Sequence, residues 1–149
     1  MQWLLSCDGV NMASHKPNFL WPTNTNYTST KGFWEGLRKR QLLAKKCRRC
    51  GEVFFPPRSH CPQCLGNDLE WAQLSDRGTL YSWTEVNVAS PEFDTPFLLG
   101  LVDLSQGIGR MTARIVGAEA HQLHIGMPVR IIYADVDKAF TIYCIGIEP

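Results

Sequence analysis

Four cysteines constrain this chain more than any other feature of it. Cys47-Arg48-Arg49-Cys50 is followed, after ten intervening residues, by Cys61-Pro62-Gln63-Cys64. Two residues between cysteines let a tight turn aim both sulfurs at one point about 2.3 Å away, and two such turns supply the four thiolates of a tetrahedral zinc site. Gly51 follows the first pair, and Val53-Phe54-Phe55-Pro56-Pro57-Arg58 reads as a short strand running into a proline-enforced turn. The layout is that of a zinc ribbon with Cys47, Cys50, Cys61 and Cys64 as metal ligands.

Other uses of the cysteines fit less well. Disulfides require an oxidising compartment, and no secretory signal is expected here. A redox C-x-x-C pair needs no second copy of itself. A mononuclear iron site of rubredoxin type takes the same four ligands, which leaves iron as the alternative to zinc. With all four positions filled by protein there is no place for an activated water, so the expected ion is structural. It is also needed, because fewer than about 40 residues cannot bury enough apolar surface to fold unaided. His60 adjoins Cys61 and is read as an ordinary surface histidine.

Lys45, Lys46, Arg48 and Arg49 crowd the first cysteine pair. Four thiolates on a dication leave a net negative centre that nearby cations stabilise. The same cations also form a face suited to phosphate oxygens, and the sequence does not choose between these roles. The charge is segregated along the chain. Residues 31–64 carry nine Lys or Arg against Glu35 and Glu52, whereas residues 65–149 carry five against eleven Asp or Glu. The basic segment therefore faces either an anionic ligand or the acidic half of its own molecule.

At 149 residues, 44% hydrophobic and 19% charged, the chain is expected to be soluble and globular, as one domain or two small ones. Its longest apolar run, Phe97 to Val102 with Gly100 included, falls far short of the ~18 residues that cross a bilayer. Six residues before Cys7 cannot hold the basic and apolar regions of a signal peptide, so a cytoplasmic location is expected. Residues 1–30 read as an irregular N-terminal extension, with Met12 as an alternative start. Phe19, Leu20, Trp21 and Tyr27 give it apolar surface that would dock on the core or on a partner. Thr30 to Arg40 reads as a helix with an apolar stripe of Phe33, Trp34 and Leu37, a Glu35–Lys39 pair one turn apart, and a basic end. Together with the ribbon it makes a segment of residues 31–74.

Residues 75–149 make the next segment, and from Gly78 onward the period is two. Strands are expected at 79–88, with Leu80, Val86 and Val88 on one face, and at 97–104. A third covers 110–116 with Met111, Ala113 and Ile115 inward. A short helical turn over 118–123 leads to a fourth strand with Val129, Ile131 and Tyr133 alternating against Arg130 and Ile132, and a fifth at 140–147. Five strands with a small helix between the third and fourth is the pattern of an OB-fold barrel, with an SH3-like barrel as the alternative. Cys144 reads as a small core residue and His121 and His124 as surface histidines. The expected fold is mostly β: an N-terminal helix and rubredoxin-like zinc ribbon, then a five-stranded OB-fold barrel.

No G-x-S-x-G, H-E-x-x-H or phosphate-cradling glycine loop is present, so no catalytic residue is assigned. An OB barrel can bind single-stranded nucleic acid, with Tyr81, Trp83 and Tyr143 as stacking platforms. The acidic charge of this segment opposes a polyanion.

The order of motifs resembles the zinc-ribbon plus OB-fold proteins that accompany thiolase-like enzymes. The resemblance runs from Phe33-Trp34-Glu35-Gly36-Leu37 through both cysteine pairs, Phe55-Pro56-Pro57-Arg58, Asp68-Leu69-Glu70-Trp71 and Gly78-Thr79-Leu80-Tyr81-Ser82 to Ile125-Gly126-Met127-Pro128-Val129. It implies a non-catalytic accessory subunit that binds acyl-CoA and partners a thiolase-like acyltransferase, thiolase or aldolase. The family pattern assigns no individual CoA ligands; the residues themselves suggest that cations around Arg48 and Arg49 would meet CoA phosphates while the apolar rim of the barrel holds the pantetheine arm.

Overall fold

The computed structural model describes residues 29–90, 93, 95–104, 107–135 and 141–148. The expectations placed on residues 1–28 and on Phe140 lie outside this set. Among the described residues one α-helix and eight strands follow in order: α1 Lys31–Arg38, β1 Leu43–Cys47, β2 Val53–Phe54, β3 Leu69–Gln73, β4 Arg77–Val86, β5 Phe97–Leu104, β6 Arg110–Val116, β7 Pro128–Asp135 and β8 Thr141–Ile147. The first three strands form a sheet in the order β2-β1-β3, and the last five close a barrel in the order β4-β5-β6-β8-β7. This is the expected zinc ribbon region followed by an OB-fold barrel. Its small connecting helix is a single 3₁₀ turn at Ala120–Gln122, where Glu119 and Gln122 cap each other.

The helix is shorter than its sequence pattern. It stops at Arg38 because the chain turns back through Arg40, whose φ is +58°. The Gln41 N–H donates to Gly36 O (2.9 Å) and the Arg40 N–H to Leu37 O (3.0 Å), the double bond of a Schellman cap. Lys39 thus falls outside the helix, and Glu35 pairs instead with Lys31, one turn before it (3.8 Å). Phe33 and Leu37 are buried and join a core otherwise made by the barrel residues Leu80, Val102, Met111, Ile115, Val129, Ile131 and Ile145. The apolar stripe of the helix therefore packs on the barrel. The ring of Phe33 meets Phe55 of the ribbon at 5.8 Å and Tyr143 of β8 at 6.1 Å, so one side chain touches all three parts.

Within the barrel, Met111, Ala113 and Ile115 point inward as expected, facing Leu98, Gly100 and Val102 of β5. A side chain at Gly100 would press on Ile115 and Ile145 at 2.9–3.0 Å, so glycine is what lets the strands approach here. The first barrel strand departs from its pattern. Its pairing with β5 slips between Leu80 and Ser82, and the strand ends at Val86, leaving Val88 90% exposed. The bulge changes which residues face inward beyond it, which simple alternation cannot anticipate. None of the helices among the described residues is long and apolar enough to cross a membrane.

Candidate metal centre and ligand cleft

The two cysteine turns are built alike. In the first, the Gly51 N–H donates to Cys47 O (2.9 Å) and the Cys47 N–H to Glu52 O (2.8 Å). In the second, the Leu65 N–H donates to Cys61 O (3.0 Å) and the Cys61 N–H to Gly66 O (2.9 Å). β1 delivers Cys47 and pairs with both neighbours, Lys46 lying opposite Val53 on one side and Glu70 on the other. Phe54 and Leu69 pack against the sulfurs.

The sulfurs of Cys47, Cys50, Cys61 and Cys64 all lie within 4.8 Å of one another. Cys47 Sγ is 3.6 Å from Cys64 Sγ, and Cys50 Sγ is 3.6 Å from Cys61 Sγ. Zn–S bonds of about 2.3 Å in a tetrahedron put sulfurs about 3.8 Å apart, so the donor set fits zinc in both chemistry and spacing. A disulfide would need about 2.05 Å, and all four are free thiols. The Cys50 backbone N–H, opposed by burial and helped by the Arg49 N–H and the neighbouring sulfurs, brings the Cys47 thiol down to about 7. Cys50 behaves oppositely. The Glu52 N–H pulls it down, but burial and the three neighbouring sulfurs outweigh that and push it up to about 12. Four sulfurs so close cannot all ionise without a cation among them.

His60 Nδ1 lies 3.1 Å from Ser59 Oγ and is exposed, outside the group of converging ligands. His121 sits 3.3 Å from Glu119 and is likewise exposed. Among the described residues the four cysteines are the one cluster able to hold a metal ion.

The basic residues around the first turn have separate partners. Arg48 is held by Glu70 (Nε–Oε2 3.0 Å) and Asp68 (Nη1–Oδ1 3.5 Å), both of which raise its pKa, and Lys46 lies 3.9 Å from Glu70. Lys45 stacks on Trp71 with its ammonium 3.6 Å from the ring centre, and burial lowers its pKa. The segregated charge is thus met in part inside the molecule. Arg49 is exposed and has no ion pair among the described residues.

A cleft of about 480 Å³ opens in the barrel wall. The ladder between β6 and β8 has two registered pairs, Ile115 with Ile145 and Val116 with Gly146, and the cleft lies where the strands run on without pairing. Thr112, Ala113 and Arg114 line one side and Ile142, Tyr143 and Cys144 the other, and Trp34 of α1 and Phe97 of β5 are among the remaining lining residues. The Arg114 guanidinium lies 4.8 Å from the centre of the Phe97 ring. Cys144 is buried as expected, but it sits opposite Ile132 on the face away from the Ile131–Ile145 pair, so it lines the cleft and not the barrel interior. Neither the cleft nor Arg114 was legible from alternation alone, because the cleft depends on where two distant strands stop pairing.

The three aromatics considered as stacking platforms are otherwise engaged. Trp83 and Tyr143 pack against the core, and Tyr81 is covered by Arg110, whose guanidinium lies 3.5 Å from its ring centre. Burial raises the pKa of Tyr143.

Two family models match in tandem: the rubredoxin-like zinc ribbon domain of ChsH2 over residues 34–70 and the C-terminal OB-fold domain of ChsH2 over residues 71–133. A DUF35 domain-containing scaffold protein of Methanocaldococcus jannaschii is 32% identical over 109 residues, 70% of this chain and 77% of that one. Benzoylsuccinyl-CoA thiolase subunit BbsA of Thauera aromatica is 36% identical over 81 residues, 54% of this chain and 56% of its own length. Among solved structures, a chain of the Ltp2-ChsH2(DUF35) aldolase superposes with a TM-score of 0.73 at 26% identity, covering 80% of this chain and 94% of that one.

Proposed function

This chain belongs to the zinc-ribbon and OB-fold family of DUF35 scaffold proteins, and from that premise we propose that it is a non-catalytic accessory subunit. In this reading it partners a thiolase-like acyltransferase, a thiolase or an aldolase, and it holds the acyl-CoA while the partner supplies the reacting groups. The relatives named as a thiolase subunit and as part of an aldolase support the class of partner.

The observation that carries the ligand half of the reading is the cleft between β6 and β8. Its volume lies within the ~300–1,000 Å³ of small-molecule sites, and its walls are apolar and aromatic, suited to an acyl chain or a pantetheine arm. Arg114 at its edge has no ion pair among the described residues and takes the phosphate-facing role, one of the two that the sequence leaves open for Arg48 and Arg49. Arg48 is a poor choice for that role because Asp68 and Glu70 already occupy it.

Cys47, Cys50, Cys61 and Cys64 would hold one structural zinc, which supplies folding energy to the ribbon and no chemistry. The ribbon then presents a rigid face beside the barrel, fixed to it through Phe55 and Phe33.

The test is calorimetric titration of acetyl-CoA and benzoyl-CoA into the chain, alone and with a purified thiolase-like subunit that copurifies with it. Saturable binding of either thioester supports the ligand reading. Absence of binding in the complex ends it, and failure to copurify ends the partner reading.

A further inference from the structure

The two cysteine turns share their hydrogen bonds but differ at one position. After the first pair stands Gly51, with φ +78°, and after the second stands Leu65, with φ +59°. Both are in the left-handed region, where a side chain crowds the following carbonyl and where glycine is the usual occupant. Leu65 therefore carries a backbone cost that Gly51 avoids. Little of its side chain packs inside the molecule in return, since Leu65 is 76% exposed.

An apolar side chain held in a strained conformation and turned to water calls for a partner. We propose that Leu65 is an anchor by which the ribbon docks into an apolar socket, rimmed by carboxylates, on its thiolase-like partner subunit. This rests on the accessory-subunit reading above and names the contact point.

The socket's acidic rim follows from charge. Arg49 lies against this turn, its Cδ 3.8 Å from the place a Cβ would take on Gly66, and it has no carboxylate partner among the described residues. Of the nine cationic side chains in residues 31–64, Lys31, Arg40, Lys46 and Arg48 meet carboxylates inside the molecule, whereas Arg49 beside this turn does not among the described residues. Four sulfurs clasping an ion would hold the turn stiff, so little ordering entropy would remain to be lost on docking. A nucleic acid is a poor fit because leucine offers no ring for base stacking, and a bilayer gains little from one leucine with polar Gln63 and Asn67 two residues away on either side.

The experiment compares wild type, Leu65→Gly, Leu65→Met and Arg49→Glu for zinc content, melting midpoint and affinity for the purified thiolase-like subunit. Leu65→Gly is expected to keep its metal, melt no lower than wild type and bind the subunit at least about tenfold more weakly. Leu65→Met is expected to stay within about threefold of wild type, and Arg49→Glu to weaken binding and flatten its salt dependence. Undiminished binding by Leu65→Gly overturns the anchor and leaves the accessory-subunit reading standing. Loss of metal or a lower melting midpoint in Leu65→Gly assigns the leucine a structural role and overturns it too. Failure of the wild type to bind the subunit removes both proposals.

Discussion

Arg40, just past the end of α1, reaches Asp135 at the last residue of β7, Nη2 to Oδ2 at 2.6 Å. Arg40 occupies the left-handed position of a helix cap where glycine is usual, and Asp135 also accepts from Thr141 Oγ1 at 2.7 Å. A backbone cost and an ion pair thus meet in one residue.

Arg40→Gly should consequently sit within about 1 kcal/mol of wild type at pH 7, relief of roughly 1 kcal/mol of left-handed strain offsetting an exposed pair contributing about 0.5 kcal/mol. The Thr141 hydroxyl, opposed next by burial and then helped by Arg40, holds the Asp135 carboxyl below its ordinary range. A depressed carboxyl stabilises the fold above its unfolded value of about 3.9 and loses that contribution as pH falls through the folded value. The variant lacks the pair, so the difference between the two proteins in urea unfolding should shift in its favour below about pH 4. A difference that does not change with pH would show that the pair contributes nothing.

Elemental analysis should find one zinc per chain, and Cys47→Ser should lose it. Structural zinc contributes on the order of 10 kcal/mol to such ribbons, so chelation should unfold the segment and let trypsin cleave after Lys45, Lys46, Arg48 and Arg49. A Cys47→Ser protein as resistant to trypsin as wild type would sever metal from fold.

Leu37 is fully buried where the helix meets the barrel. Leu37→Ala should cost about 2–5 kcal/mol in chemical denaturation. Gly100→Ala should cost about 1–3 kcal/mol, since the added methyl meets Ile115 and Ile145. If Leu37→Ala unfolds like wild type, the helix is not part of the barrel's core.

Thr112 lines the cleft and is itself exposed. Thr112→Trp should fill the opening and weaken acyl-CoA binding about tenfold or more while leaving the melting midpoint near that of wild type. Equal affinity would move the thioester elsewhere. Oligonucleotides should not be retained even at about 50 mM salt, where phosphate contacts are strongest.

Much of this was legible in the sequence where the signal is local. Two C-x-x-C turns announce their own geometry, and Met111, Ala113 and Ile115 announce an inward face by alternation. What was not legible depends on distant partners. β1 and β3 are paired through Ala44 and Ala72, and neither Leu43–Cys47 nor Leu69–Gln73 alternates cleanly enough to be read as a strand. Alternation puts Leu80, Val86 and Val88 on one face, a pattern that the slip after Leu80 and the end of the strand at Val86 interrupt. Arg48 looked free beside the thiolates because its counter-charges, Asp68 and Glu70, lie about 20 residues further on. Arg114 belongs to the cleft only because β6 and β8 separate beside it.

The barrel is fastened along that seam by two rungs, Ile115–Ile145 and Val116–Gly146, whereas β7 and β8 share seven. A ring breathes where its clasp is shortest, so amide exchange should be fastest along this margin among the barrel's edges. Whatever wedges between the two strands would act as the missing stretch of clasp, and occupancy would register as a tightening of the whole ring.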